Sequence, residues 1–135
     1  HFISAVVLTV TFLIAAFVLA PEGGFSYYFL ENVAPINHFL APLLSVISLL
    51  FLEDTEPLSE SVILWPVLAT LVYGGVCLEL NMMRLIDGPY FFLQVYDQPM
   101  QVIALWFGII AVLCLLISIL YRRLKWSRKR TKTML

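Results

Sequence analysis

The sequence predicts an all-α integral membrane protein built as a four-helix bundle, and three observations carry that expectation. Hydrophobic residues make up 61% of the 135 positions and charged residues only 13%, against about 45–50% and about 25% in an ordinary soluble domain. The apolar residues come in long unbroken runs instead of alternating with polar ones, and a small soluble core cannot hide such runs. Seven of the eight Lys and Arg residues fall between Arg122 and Lys132, directly after the last run. The solvent for these runs is therefore lipid.

The first run covers 2–20 and closes at Pro21-Glu22-Gly23-Gly24, where Pro and Gly content stops a helix. At about 1.5 Å per residue it just crosses a hydrocarbon core of about 30 Å. The second covers about 36–52, is short, and runs into the acidic stretch Glu53-Asp54-Thr55-Glu56. The third covers about 62–86 and ends before Asp87-Gly88-Pro89, with Glu79, Asn81 and Arg84 in its last turns. The fourth covers about 100–121, with Trp106 and Phe107 near one end and Tyr121 and Trp126 near the other as interfacial aromatics.

These four helices form one transmembrane domain over 1–135, with 122–135 as a basic tail. The positive-inside rule places that tail in the cytoplasm of a cell-membrane protein, with His1 and the Glu53–Ser61 loop on the same side. The two remaining loops, Pro21–Pro35 and Asp87–Pro99, then lie outside. A basic segment next to an apolar helix is a topogenic and headgroup-binding signal, so membrane lipids and not nucleic acid are the expected partners. Val18-Leu19-Ala20 is not read as a signal-peptidase site, because no basic region precedes it and Pro21 follows it. A chain that starts at His1 and enters a membrane run almost at once reads as part of a longer protein.

Cys77 and Cys114 lie inside apolar runs without paired spacing and read as buried free thiols. His38 and His1 alone are too few ligands for a metal or haem, and no phosphate-binding glycine loop is present. No cofactor is implied.

Ionisable and polar groups at membrane depth are costly, so they are where function is sought. His38 stands four residues before Pro42 in Asn37-His38-Phe39-Leu40-Ala41-Pro42. Pro42 has no N–H for the His38 carbonyl, which predicts a kink and a freed carbonyl at the histidine. Ala41, Pro42, Ser45 and Ser48 continue a small and polar stripe that should face the bundle interior. Pro66, Thr70, Tyr73, Gly74, Cys77, Asn81 and Arg84 form a matching line on the third helix. Ser4, Thr11 and Ala15 do so on the first, and Gln101, Ala104, Gly108 and Ala111 on the fourth. Such stripes are also simply how membrane helices pack, and Thr9, Thr11, Ser45 and Ser48 can bond to carbonyls of their own helices. The predicted sidedness puts His38, Arg84 and Glu79 in the outer half of the bundle. Arg84 could equally extend to lipid headgroups.

The segments Val10-Thr11-Phe12-Leu13, Asn37 through Leu44, Tyr73 to Arg84 and Gly88-Pro89-Tyr90-Phe91-Phe92-Leu93 resemble the androgen-induced family of membrane proteins. The likeness is greatest to its six-helix bacterial relatives and covers nearly the whole chain. The resemblance implies an intramembrane hydrolase of fatty-acid esters with a threonine nucleophile and a histidine base. His38 matches that histidine, and the segment around Gly88, Pro89 and Tyr90 matches a family loop. The family's threonine lies in an earlier helix, so no residue of this chain inherits its role, Thr11 included. On this reading the four helices are the C-terminal part of a six-helix bundle. His38 is then the candidate base, and Asn37, Tyr73, Glu79 and Arg84 are candidates for contact with a lipid or small-molecule substrate. Asn37 or Arg84 could serve a developing oxyanion. Two other readings stay open: a transporter or lipid-binding protein, motivated by Glu79, Arg84 and the polar inner faces, and a structural membrane protein that packs through Ala104 and Gly108.

Overall fold

The computed structural model describes residues 1–53, 59–87 and 90–133, with side chains described as far as Lys125. Residues 54–58, which include Asp54 and Glu56 of the acidic stretch, the Gly88-Pro89 pair and the side chain of Trp126 lie outside that description. All regular structure among the described residues is helical. Helix α1 runs Phe2–Gly23, a short α2 follows at Phe25–Phe29, and α3 spans Ile36–Leu52. A 3₁₀ turn at Glu60–Ile63 leads into α4, Leu64–Met82. After a loop containing a 3₁₀ turn at Phe91–Leu93, α5 runs Met100–Thr133.

The four long helices are those expected from the apolar runs, but three of the boundaries differ. α1 passes through Pro21 to Gly23, because the ladder widens into the π turn Ala15–Leu19 just before the proline, where Ala20 N–H bonds to the Ala15 carbonyl five residues back. The break comes at Gly24, whose φ of 92° is open to glycine alone at no steric cost. α4 stops at Met82, not near 86. It ends in a Schellman arrangement, in which Leu85 N–H reaches the Leu80 carbonyl at 3.0 Å and Arg84 N–H reaches Asn81 at 2.9 Å. Arg84 takes the left-handed position with φ 56°, so it stands beyond the helix. The basic segment after Tyr121 is not a separate tail but a continuation of α5 to Thr133.

By length and composition, α1, the Glu60–Met82 rod and the Met100–Lys125 part of α5 can each cross a membrane. α3 is the shorter apolar helix of the set. Two of its stretches, Ile36–Leu40 and Ser48–Leu52, are π-helical, as is Ala15–Leu19 in α1.

α1 is the central helix and touches α3, α4 and α5. Its buried face is Phe2, Ala5, Val6, Val10, Ile14 and Ala15, while Ser4 is exposed. In lipid there is no hydrophobic force between helices, so close approach of small side chains and hydrogen bonds must hold them. The Ala5, Ala15, Cys114 and Ser118 side chains are all fully buried at such contacts. On α3 the inward stripe holds in part: Pro42 and Ser45 are buried, Ala41 and Ser48 are half-buried, and Leu49 completes the buried side. On α5 it is not. Gln101, Ala104 and Gly108 face outward, and the packed side is Ile103, Cys114, Ile117, Ser118 and Tyr121. Bulk and shape won over smallness there, because Trp106 of α5 stacks on Phe92 of the preceding loop at 4.6 Å, which turns the opposite face out. Trp106 thus packs against the loop that precedes α5.

Candidate functional site

Pro42 cannot donate to the carbonyl of His38, and α3 responds by widening, not by a bare kink. Ala41 N–H bonds to the Ile36 carbonyl, five residues back, and Ile36–Leu40 becomes one π turn. His38 sits in that turn. Its ring meets Tyr28 and Phe29 edge-on, with centroids 6.3 Å from each. Both aromatics come from α2, which folds back over the end of α1. Phe29 is buried there against Ala15 and Ala20 and meets Phe12 at 6.1 Å. Gly23 leaves room for Tyr28, since a Cβ at that position would stand 2.6 Å from Tyr28 Cε2. Nδ1 of His38 is buried and has no hydrogen-bond partner among the described residues. A buried polar atom left unpaired costs about 1–3 kcal/mol.

The ring contacts described for His38 are with Tyr28 and Phe29, and among the described residues none is with the other residues singled out from the sequence. Asn37 is its exposed neighbour. Arg84 lies with its guanidinium 4.6 Å from the centre of the Tyr96 ring, and the Tyr96 hydroxyl donates to the Met82 carbonyl at 2.7 Å. No described hydrogen bond or ion pair joins Arg84 to His38. Glu79 is exposed on α4.

Tyr73 instead lines an apolar crevice of about 310 Å³ between α1, α4 and α5, together with Thr11, Thr70, Gly74, Tyr90 and Phe107. His38 does not border this crevice. Two of its hydroxyls are already engaged: Thr11 donates to the Val7 carbonyl at 3.1 Å, and Thr70 lies 3.7 Å from Cys114 Sγ. The loop that carries Tyr90 is held by Asn81, a buried residue at the end of α4. Asn81 Nδ2 donates to the Ile86 carbonyl at 3.1 Å, and its Oδ1 accepts Val95 N–H at 2.9 Å. Tyr90 then stacks on Phe92 at 5.2 Å. Burial above all, with Cys77 and Tyr28 nearby, pushes the Tyr90 phenol up from its ordinary value, so it is neutral at physiological pH.

A second cleft, of about 220 Å³, lies between α1 and α3 and is lined by Thr9, Phe12, Phe39, Pro42, Val46 and Tyr121. Thr9 donates to the Ala5 carbonyl at 2.8 Å, so its 2.8 Å contact with Tyr121 is donated by the phenol.

Next to this cleft, at the end of the bundle that carries Arg122 and Lys125, lies a polar cluster. His1 Nδ1 meets a carboxylate oxygen of Glu53, and His1 Nε2 lies 3.2 Å from Ser45 Oγ. Lys125 Nζ approaches the other Glu53 oxygen at 3.4 Å. Arg122 faces Glu60 at 3.6 Å. Sequence reasoning weighed His1 only as an insufficient metal ligand. The antiparallel placement of α1 and α3 brings it to Glu53, and the one available signal was the spacing of Ser45 and Glu53 by about two helical turns.

Comparisons with protein-family models, with curated proteins and with solved structures give no match for this chain.

Proposed function

We propose that the chain is the histidine-bearing part of an intramembrane hydrolase of lipid esters, with His38 as its general base. The observation that supports this is the buried Nδ1 of His38, which has no partner among the described residues. A base awaiting a hydroxyl in a dry aromatic cradle has this geometry. A neutral imidazole there takes the proton of a hydroxyl nucleophile as its oxygen attacks the ester carbonyl, then returns it to the departing alcohol. In the family the chain resembles, that nucleophile is a threonine of an earlier helix, and no described hydroxyl of this chain bonds to Nδ1. Asn37, exposed beside His38, fits the oxyanion better than Arg84, which is held on Tyr96. With the basic end of α5 in the cytoplasm, His38 lies toward the outer leaflet of the cell membrane, from which an ester can enter.

The test is to label the full-length membrane protein with a hydroxyl-directed phosphonate. The His38→Ala variant should lose reactivity by about 10²-fold or more, and undiminished labelling sinks the assignment.

A second reading, lipid binding or transport without catalysis, is favoured by the apolar crevice that His38 does not border. Lipid retained through purification by the wild-type protein and lost on Gly74→Leu, with no ester cleavage by either, selects it.

A further inference from the structure

Separate from His38, we propose that Ser45, His1 and Glu53 form a serine acyl-transfer site at the basic end of the bundle. The three side chains stand in the order that nucleophilic catalysis by serine needs. Glu53 receives His1 through Nδ1, which fixes the tautomer with the proton on Nδ1 and the lone pair on Nε2. That lone pair faces Ser45 Oγ at 3.2 Å, within the reach a base needs for the hydroxyl proton. Lys125, 3.4 Å from the second Glu53 oxygen, pairs with that oxygen and leaves the first to the imidazole.

The serine differs from three other hydroxyls of these helices. Thr9, Thr11 and Ser118 each donate to the carbonyl four residues back in their own helix, the usual fate of a hydroxyl in a membrane helix. The hydrogen bond described for Ser45 runs instead to His1, the residue that precedes α1, across 44 residues of sequence.

A place for substrate adjoins it. Pro42 and Val46, on either side of Ser45 along α3, line the 220 Å³ cleft with Phe12 and Phe39. Such walls take an apolar acyl chain, so the substrate class is a long-chain acyl ester drawn from the bilayer. In the first step Ser45 Oγ bonds to the carbonyl carbon as its proton passes to His1 Nε2. The ester C–O bond then breaks, and the leaving alcohol takes that proton. Water, giving its proton to the same nitrogen, releases the acid and restores Ser45. Tyr121, whose phenol lies on the cleft wall, supplies a donor for the oxyanion on turning from Thr9.

The test is to react the full-length protein in detergent micelles with an alkyl fluorophosphonate and locate the adduct by peptide mapping. The expected adduct sits on Ser45, forms faster as pH rises through the imidazole range, falls at least about tenfold in His1→Asn and Glu53→Gln, and persists in Ser48→Ala. Wild-type protein with no adduct on Ser45, or one whose rate ignores both pH and His1→Asn, overturns the proposal. Ser45→Cys gives an arm independent of those substitutions: its thiol must show the same pH-dependent acceleration toward an acyl thiol reagent, and a thiol no faster than Cys77 counts against the site. Mapping scores Ser45 apart from any hydroxyl served by His38, so either site can fail alone.

Discussion

Asn81 Oδ1 accepts the backbone N–H of Val95 at 2.9 Å while its Nδ2 donates to the Ile86 carbonyl at 3.1 Å, so one buried side chain ties both strands of the α4–α5 loop to the end of α4. Replacing it with Leu keeps the volume and leaves both backbone groups without a partner. At about 0.5–1.5 kcal/mol for each of these part-buried bonds, Asn81→Leu should lower unfolding stability in detergent by about 1–3 kcal/mol. Hydrogen exchange at the Val95 amide should accelerate in step, and unaltered protection there would contradict the clasp.

The Thr9–Tyr121 bond joins α1 to α5 at a distance of 112 residues in sequence. A double-mutant cycle of Thr9→Val and Tyr121→Phe isolates it. Hydrogen bonds between membrane helices are worth about 0.6 kcal/mol on average and at most about 1.7, and the coupling should fall in that range. A coupling near zero would mean the two residues share space without sharing a proton.

Arg84 combines a costly backbone with a favourable ring contact. Its φ of 56° costs a non-glycine residue about 1 kcal/mol or more, and its guanidinium on Tyr96 returns about 0.5–1 kcal/mol at an exposed site. Arg84→Ala should therefore destabilise by about 0.5–1 kcal/mol, and Arg84→Gly should restore most of that loss. Thermal unfolding of the three proteins in one detergent decides it. If glycine is worse than alanine, the left-handed turn is not what limits the site.

Two glycines that look alike in sequence should behave oppositely. A Cβ on Gly74 would stand 3.1 Å from two carbons of the Phe107 ring, whereas Gly108 has nothing within 4 Å. Gly74→Leu should cost about 1–3 kcal/mol through overpacking, and Gly108→Leu should change monomer stability by less than about 0.5 kcal/mol. Because Gly108 faces outward, any effect of that second substitution should appear in self-association, measured by sedimentation in micelles.

The helical membrane architecture was legible in the sequence because unbroken apolar runs and a basic cluster are one-dimensional signals. The inward stripe of α3 was legible too, since Pro42 and Ser45 follow helical spacing. The facing of α5 was not. Its small residues mark a possible contact, but which side packs depends on where Phe92 puts the stack with Trp106. Arg84 was placed on a helix because propensity does not reveal a Schellman end that uses arginine where glycine is usual.

The sequence by itself determined that the chain lives in lipid, where its helices lie and that His38 sits at a proline-disturbed turn, because hydropathy and the missing proline N–H act locally. Tertiary structure alone decided what each polar group meets. It sets Arg84 over Tyr96, gives the crevice to Tyr73 and brings His1 to Ser45 and Glu53. Such pairings depend on the direction and register of neighbouring helices. No local rule fixes the partner of a polar side chain across tens of residues, whereas the cost of leaving it unpaired in lipid selects the bundles that pair most of them, His38 Nδ1 being the exception among the described residues.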